Sequence, residues 1–159
     1  MIRWPDFQAQ QPDLAGQGAG LLHYFGVGLA FLATVRADGG PRVHPVCPVL
    51  TGAGLYAFIV PSPKQADLHR DGRYAMHSFP LDDNEDAFYL SGVASHVQDP
   101  ATRDRLARQF AEERAGSAMP PPDAQQHLFE FQMQLAMLTR TTGHGDLQPQ
   151  HTIWRAAQP

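Results

Sequence analysis

Within "FIVPSPKQADLHRDGRY", residues 58–74, lies Lys64, the only lysine of the chain; the other eleven Lys/Arg positions are all arginine. Ser62, Pro63 and Gln65 around it spell a helix start, with serine at the N-cap, proline at the first helical position and glutamine closing a capping box. Lys64 therefore falls in the first turn, where the positive end of the helix macrodipole disfavours a cation by up to about 1 kcal/mol. Two readings fit. Lys64 is an exposed, solubilising side chain, or it is half of an anion site in which the free backbone N–H groups and the ammonium bind a phosphate together.

The remaining chemistry-bearing side chains are poorer in pattern. Of the eight histidines, His144 and His151 are seven apart and His69 and His77 eight apart, and no acid or cysteine completes either set, so no metal site is expected. Cys47, the only cysteine, lies in the apolar run "VHPVCPVL" and reads as a buried, unreactive thiol; alone it excludes an internal disulfide. Neither a G-x-S-x-G elbow nor a P-loop occurs. Gly16, Gly18 and Gly20 approach a nucleotide-loop spelling, but no strand precedes them and Leu21 takes the place of the third glycine. The acidic piece "DDNED" reads as a solvated loop.

Composition narrows the partners. A formal charge of −4 and no basic run argue against nucleic acid as a main partner. The most apolar window, "YFGVGLAFLATV", is too short to cross a bilayer as a helix, and the N-terminus lacks the apolar core of a signal peptide, which leads to the expectation of a cytoplasmic protein. At 159 residues, 43% apolar and 18% charged, one folded domain is expected over 1–159.

The elements that would position Lys64 are mostly strands. An N-terminal segment, 1–27, contains one candidate helix at residues 12–25, weakened by its glycines. Between 28 and 98 come short β-rich runs broken by turn residues: "LAFLATV", "RVHPVCPVL", "LYAFIV", "RYAMHSF" and "AFYLSGVASHV". Asp38-Gly39 is read as supplying the positive φ angles of a tight hairpin turn. An amphipathic helix follows at 100–116, burying Leu106 and Phe110. Strands close the chain at 127–156, where Phe129, Phe131, Met133 and Leu135 alternate with polar residues and mark one buried face. The proline-rich "MPPPD" is linker-like. Six to seven strands, mostly antiparallel, with a few peripheral helices are best satisfied by a closed or nearly closed barrel. Pro45 and Pro48 place their strand at an edge or a bulge, because proline donates no ladder hydrogen bond.

Two adjacent strands, one with His44 to Pro48 and the other with Phe58 to Val60, thus feed a helix terminus suited to phosphate. A phosphorylated planar heterocycle would use both the free backbone groups of the interrupted strand and that terminus. An edge strand followed by a routine capped helix fits the same residues.

The order strand "LATV", turn, strand beginning Pro41-Arg42-Val43-His44-Pro45-Val46, strand, then Ser-x-Lys at a helix start resembles the core of the pyridoxamine 5'-phosphate oxidase-like proteins, the split-barrel flavin-binding superfamily. The likeness spans Gly28 to Pro80, continues more loosely through "DAFYLSGVASHVQDPATRDRL" and returns in "HTIWRA", about two-thirds of the chain. It implies a split β-barrel and a homodimer with flavin mononucleotide (FMN) between protomers. It also implies hydride or electron transfer to a small-molecule substrate. Carried over, the phosphate meets Ser62 and Lys64, with His44 as a weaker contact; Val46, Cys47 and Pro48 border the ring; Ile59 and Val60 line the ribityl side. His77 and Ser78 are implied ring or ribityl contacts, and Trp154 reaches the partner's flavin. The oxidase's C-terminal substrate motif, arginine and histidine separated by one residue, does not occur in "TIWRAAQP", which argues against vitamin B6 as substrate. Related members bind a deazaflavin coenzyme or haem.

Overall fold

The computed structural model describes residues 1–117 and 120–157. Met119, which opens the proline-rich piece, and Gln158 and Pro159 at the end of the chain lie outside the described residues. Two helices come first, α1 (Trp4–Gln10) and α2 (Pro12–Leu22). Then follow β1 (Ala30–Val35), β2 (Pro41–Val46), β3 (Pro48–Thr51), β4 (Gly54–Ile59), α3 (Pro63–Arg70), β5 (Arg73–Ser78), β6 (Ala87–His96), α4 (Pro100–Glu113), β7 (His127–Arg140) and β8 (Gln150–Arg155). The protein is mainly β, and every strand pairing is antiparallel.

The strands form one sheet in the order β2-β1-β5-β6-β7-β4-β3. Its two end strands, β2 and β3, are consecutive in sequence and joined by Cys47 alone. The sheet therefore returns on itself at a covalent corner, and the barrel is split there because β2 and β3 share no ladder. The two prolines explain the position: Pro45 and Pro48 flank the corner on edge strands, where a missing N–H leaves no partner unsatisfied. This break turns one expected strand into two. The far edge of β7 is shared in turn by β4, a bridge to Ile2, and β8.

Inside the barrel, Leu32, Leu55, Ile59, Met76, Phe88, Leu90, Phe131 and Met133 form the main core, capped by Phe7 and Leu22 of the N-terminal helices. A second core lies under α4, where Leu106 and Phe110 cover Val49, Tyr56, Phe58 and Leu128. Covered on both sides, β4 is buried at all six positions. The glycine-rich α2 forms despite the propensity cost, and Gly18 shows a reason: a Cβ there would lie 2.4 Å from the Phe88 ring. The Phe88 ring packs directly on the helix backbone at that point.

Three sequence expectations shift in detail. In the β1–β2 turn only Gly39 has a positive φ, +84°, while Asp38 accepts a hydrogen bond from the Gly40 N–H, so the turn needs one left-handed residue and not two. In β7 the buried face runs Phe129, Phe131, Met133 and then Ala136 and Leu138, leaving Leu135 half-buried. The register to β6 slips there, pairing Gly92 with Met133 and Ser91 with Leu135, and the extra residue Gln134 inverts the alternation. The long helix ends at Glu113, short of Gly116.

Candidate functional site

The corner at Cys47, the end of β4 and the start of α3 surround a cavity of about 400 Å³. Pro45, Val46 and Cys47 form one wall, Phe58 and Val60 another, and Phe110 of α4 a third; Lys64, Pro120 and Gln126 close the remainder. This volume and largely apolar lining are those of a small-molecule site. A second cavity, of about 350 Å³, lies across Cys47 and is lined by Val27, Leu29, Glu113 and Arg114. The corner residue thus belongs to both. Arg114 is buried, stacks 3.9 Å over the Phe110 ring and donates to the Gly28 carbonyl at 3.0 Å, which ties the end of α4 to the start of β1.

Lys64 is half-buried in the wall of the first cavity, and its Nζ donates to the carbonyl oxygen of Pro45 at 3.2 Å. Burial lowers its pKa, and the neighbouring Cys47 opposes that shift. An ammonium carries three donors. Among the described residues its hydrogen bonding accounts for one, so a desolvated cation with spare N–H capacity sits at the mouth of an apolar cavity beside a helix N-terminus.

Ser62 is the N-cap of α3, as its sequence predicts: Oγ accepts from the Gln65 N–H at 3.4 Å and donates to the Val60 carbonyl at 2.8 Å. The capping box is not closed. Gln65 sends its amide instead to the carbonyls of Ile59, at 2.8 Å, and Gln125, at 3.1 Å, pinning the segment that carries Gln126.

The orientation of α3 rests on Asp67, which is 3% exposed. Its carboxylate accepts from Thr34 Oγ1 at 3.0 Å, from Arg42 Nε at 2.7 Å and from Arg70. Burial alone would raise the Asp67 pKa, but the hydrogen bonds from Arg42, Thr34 and Arg70 outweigh it and the net shift is downward. Helix, β1 and β2 are therefore locked together one turn beyond Lys64. Sequence reasoning had no access to this cluster, since Thr34, Arg42 and Asp67 carry no shared spacing.

Of the residues singled out by sequence, the structure brings Val46, Cys47, Val60 and Lys64 to one cavity, with Ser62 at the helix terminus beside it. The others are elsewhere. Pro48 is buried beside Gly28, and Ile59 is wholly buried toward the barrel interior. It is Phe58 that faces the cavity, because strand alternation gives Ile59 to the barrel and Phe58 to the α4 side. His44 is exposed on β2, opposite Leu32. His77 is exposed on β5 with Nδ1 at 2.7 Å from the Ser78 carbonyl, and Ser78 is buried with its hydroxyl accepting from the Phe88 N–H. Trp154 packs into its own protomer's core, 4.9 Å from the Phe7 ring. Phe58, Phe110, Pro120 and Gln126 are cavity residues that the sequence left unassigned; the buried stripe of the amphipathic helix was the one signal that led to Phe110. Among the described residues no three metal-ligating side chains are arranged to hold an ion, and no helix is long and apolar enough to cross a membrane.

An antiparallel barrel split at a proline-flanked corner is a split β-barrel, the fold that the sequence resemblance led one to expect. Solved structures bear this out. A candidate pyridoxamine 5'-phosphate oxidase from Listeria innocua superposes with a TM-score of 0.61 at 14% identity, over 77% of this chain and 95% of that one. The haem storage protein HutZ from Vibrio cholerae gives 0.60 at 19% identity, over 76% and 89%. An F420 reductase gives 0.53 at 21% identity, over 68% and 87%. At these identities the likeness is one of fold. No family model and no curated protein matches the chain.

Proposed function

We propose that the chain is an oxidoreductase that binds FMN in the cavity beside Cys47 and uses it to reduce or oxidise a small substrate. The observation that carries this reading is the half-buried Lys64 ammonium, held at the rim of an apolar cavity next to the Ser62-capped terminus of α3. An anion relieves both the desolvated cation and the backbone N–H of Lys64, since Pro63 has none and those of Gln65 and Ala66 already donate to Ser62. Lys64 and the first turn of α3 would hold the phosphate, and Val46, Cys47, Phe58 and Phe110 would shelter the ring from water. A bound flavin supplies the hydride or electron chemistry, while the protein supplies position and electrostatics.

The reading includes a homodimer. On the outer face Phe31 and Phe79 stack at 4.1 Å, Phe25 lies 6.4 Å from Phe79, and Tyr24 and Phe25 are each 47% exposed. Phe31 pairs with Pro45 across β1 and β2, so this aromatic strip runs up to the cavity rim, and a second protomer would cover both. The F420 reductase among the similar folds supports a second reading, a deazaflavin coenzyme whose phosphodiester would use the same terminus. Haem is favoured less, since among the described cavity residues no histidine is present and only Cys47 and Lys64 offer an axial ligand.

Absorbance of the purified protein, before and after adding each cofactor, tests the assignment. Flavin maxima with saturable binding support it. A deazaflavin or Soret band without flavin binding replaces it.

A further inference from the structure

Away from the charge of Lys64, three histidines from distant parts of the chain meet: His69 on α3, His96 at the end of β6 and His127 at the start of β7. Their ring centroids are 4.8–4.9 Å apart in every pairing. His69 Nε2 and His127 Nδ1 are 2.7 Å apart, a hydrogen bond, and His96 stacks on His127 at 24°. Stacked faces do not aim three donors at one point, which sets the group apart from a metal centre.

His127 ends a strap, residues 120–127, whose Pro120 and Gln126 wall the cavity. Among the described residues the strap has few ties besides the pairing of its last residue, His127, with Ile59 of β4. Arg103 donates to the carbonyls of Asp123 and Gln126, Gln65 donates to that of Gln125, and the His69–His127 bond holds its end against α3. We propose that His69, His96 and His127 form a proton-sensitive latch that fastens the strap, and with it one wall of the cavity, to α3. The latch does not depend on what occupies the cavity.

A hydrogen bond between two imidazoles needs one unprotonated nitrogen as acceptor; when both rings carry two protons, both only donate and the bond is lost. The charged groups around the cluster add to the loss. Arg103 of α4 acts on His96, while the nearby acids are otherwise engaged: Asp67 by Arg42 and Arg70, Asp71 by Arg73, and Asp123 by the N–H groups of Gln125 and Gln126. Burial first, then His127, His69 and Arg103, hold the His96 pKa below its ordinary value. A base whose folded pKa is depressed contributes stability that is present above its unfolded value and lost as pH falls through the folded one. Acid therefore opens the latch.

Amide hydrogen exchange, corrected for its intrinsic pH dependence, tests this from about pH 8 to about pH 5, which spans histidine titration. Amides of residues 123–126 should lose about 10-fold in protection, the worth of one hydrogen bond, while those of β5 hold theirs. In His69→Phe the strap should be weakly protected at all these pH values. NMR titration of the unaltered protein gives an independent check, as the His96 ring and the strap amides should shift with one midpoint. Strap protection that ignores pH, a pH response preserved in His69→Phe, or separate midpoints would each overturn the latch.

Discussion

The Lys64 ammonium donates to the carbonyl oxygen of Pro45 at 3.2 Å, joining the first turn of α3 to the edge strand that ends at the Cys47 corner. Edge-strand carbonyls lack a ladder partner on one side, and a cation at a helix start lacks a favourable field. Each supplies part of what the other misses. The contact holds a positive charge in the wall of an apolar cavity, where the proposed phosphate would meet it with little competition from water.

The position of that charge depends on Asp67. Replacing it in Asp67→Asn removes the charge between Arg42 and Arg70 and should cost about 2–3 kcal/mol, below the figure for a fully buried pair because both arginines are partly exposed. Denaturant unfolding reads the loss. The depressed pKa of Asp67 also gives a sign: its contribution is present above the ordinary carboxylate value and is lost as pH falls through the folded one. The stability difference between the native protein and Asp67→Asn should therefore shrink in acid.

Gly28 tests the corner itself. A Cβ at this position would lie 1.8 Å from the Pro48 carbonyl oxygen, a backbone atom that cannot swing aside. Gly28→Ala should destabilise the protein by about 1–3 kcal/mol, whereas Gly16→Ala, with open space around it, should be neutral or stabilising. Equal thermal midpoints for the two variants would show that the corner is looser than described.

Covering the Phe25, Phe31 and Phe79 strip with a second protomer predicts a solution mass of twice 17.5 kDa by light scattering. Phe25→Glu would place a charge in that interface and should shift the protein toward monomer. A monomer at all working concentrations excludes the dimer.

Much of this architecture was legible because local chemistry and global fold agree. The Ser62-Pro63 helix start, the edge placement of Pro45 and Pro48, and the amphipathic stripe ending in Phe110 each follow from one residue's physics. What escaped depends on tertiary closure. Ile59 and Phe58 are equally apolar, and only the packing of α4 decides which faces the cavity. Gln134 looks like any polar strand residue, yet its bulge turns Leu135 away from the core. The short α1 forms because Trp4 and Phe7 find partners in Phe88 and Trp154, which no window around residues 4–10 reveals.

The central claim is that Lys64 binds a phosphate, and parallel titrations of FMN and riboflavin test it most directly. A charge-assisted hydrogen bond from Lys64 is worth roughly 1.5–3 kcal/mol. Lys64→Ala should therefore weaken FMN by about 10- to 100-fold and leave riboflavin, which has no phosphate, little changed, with Lys64→Arg between them. Equal losses for FMN and riboflavin, or no loss for either, would contradict the account.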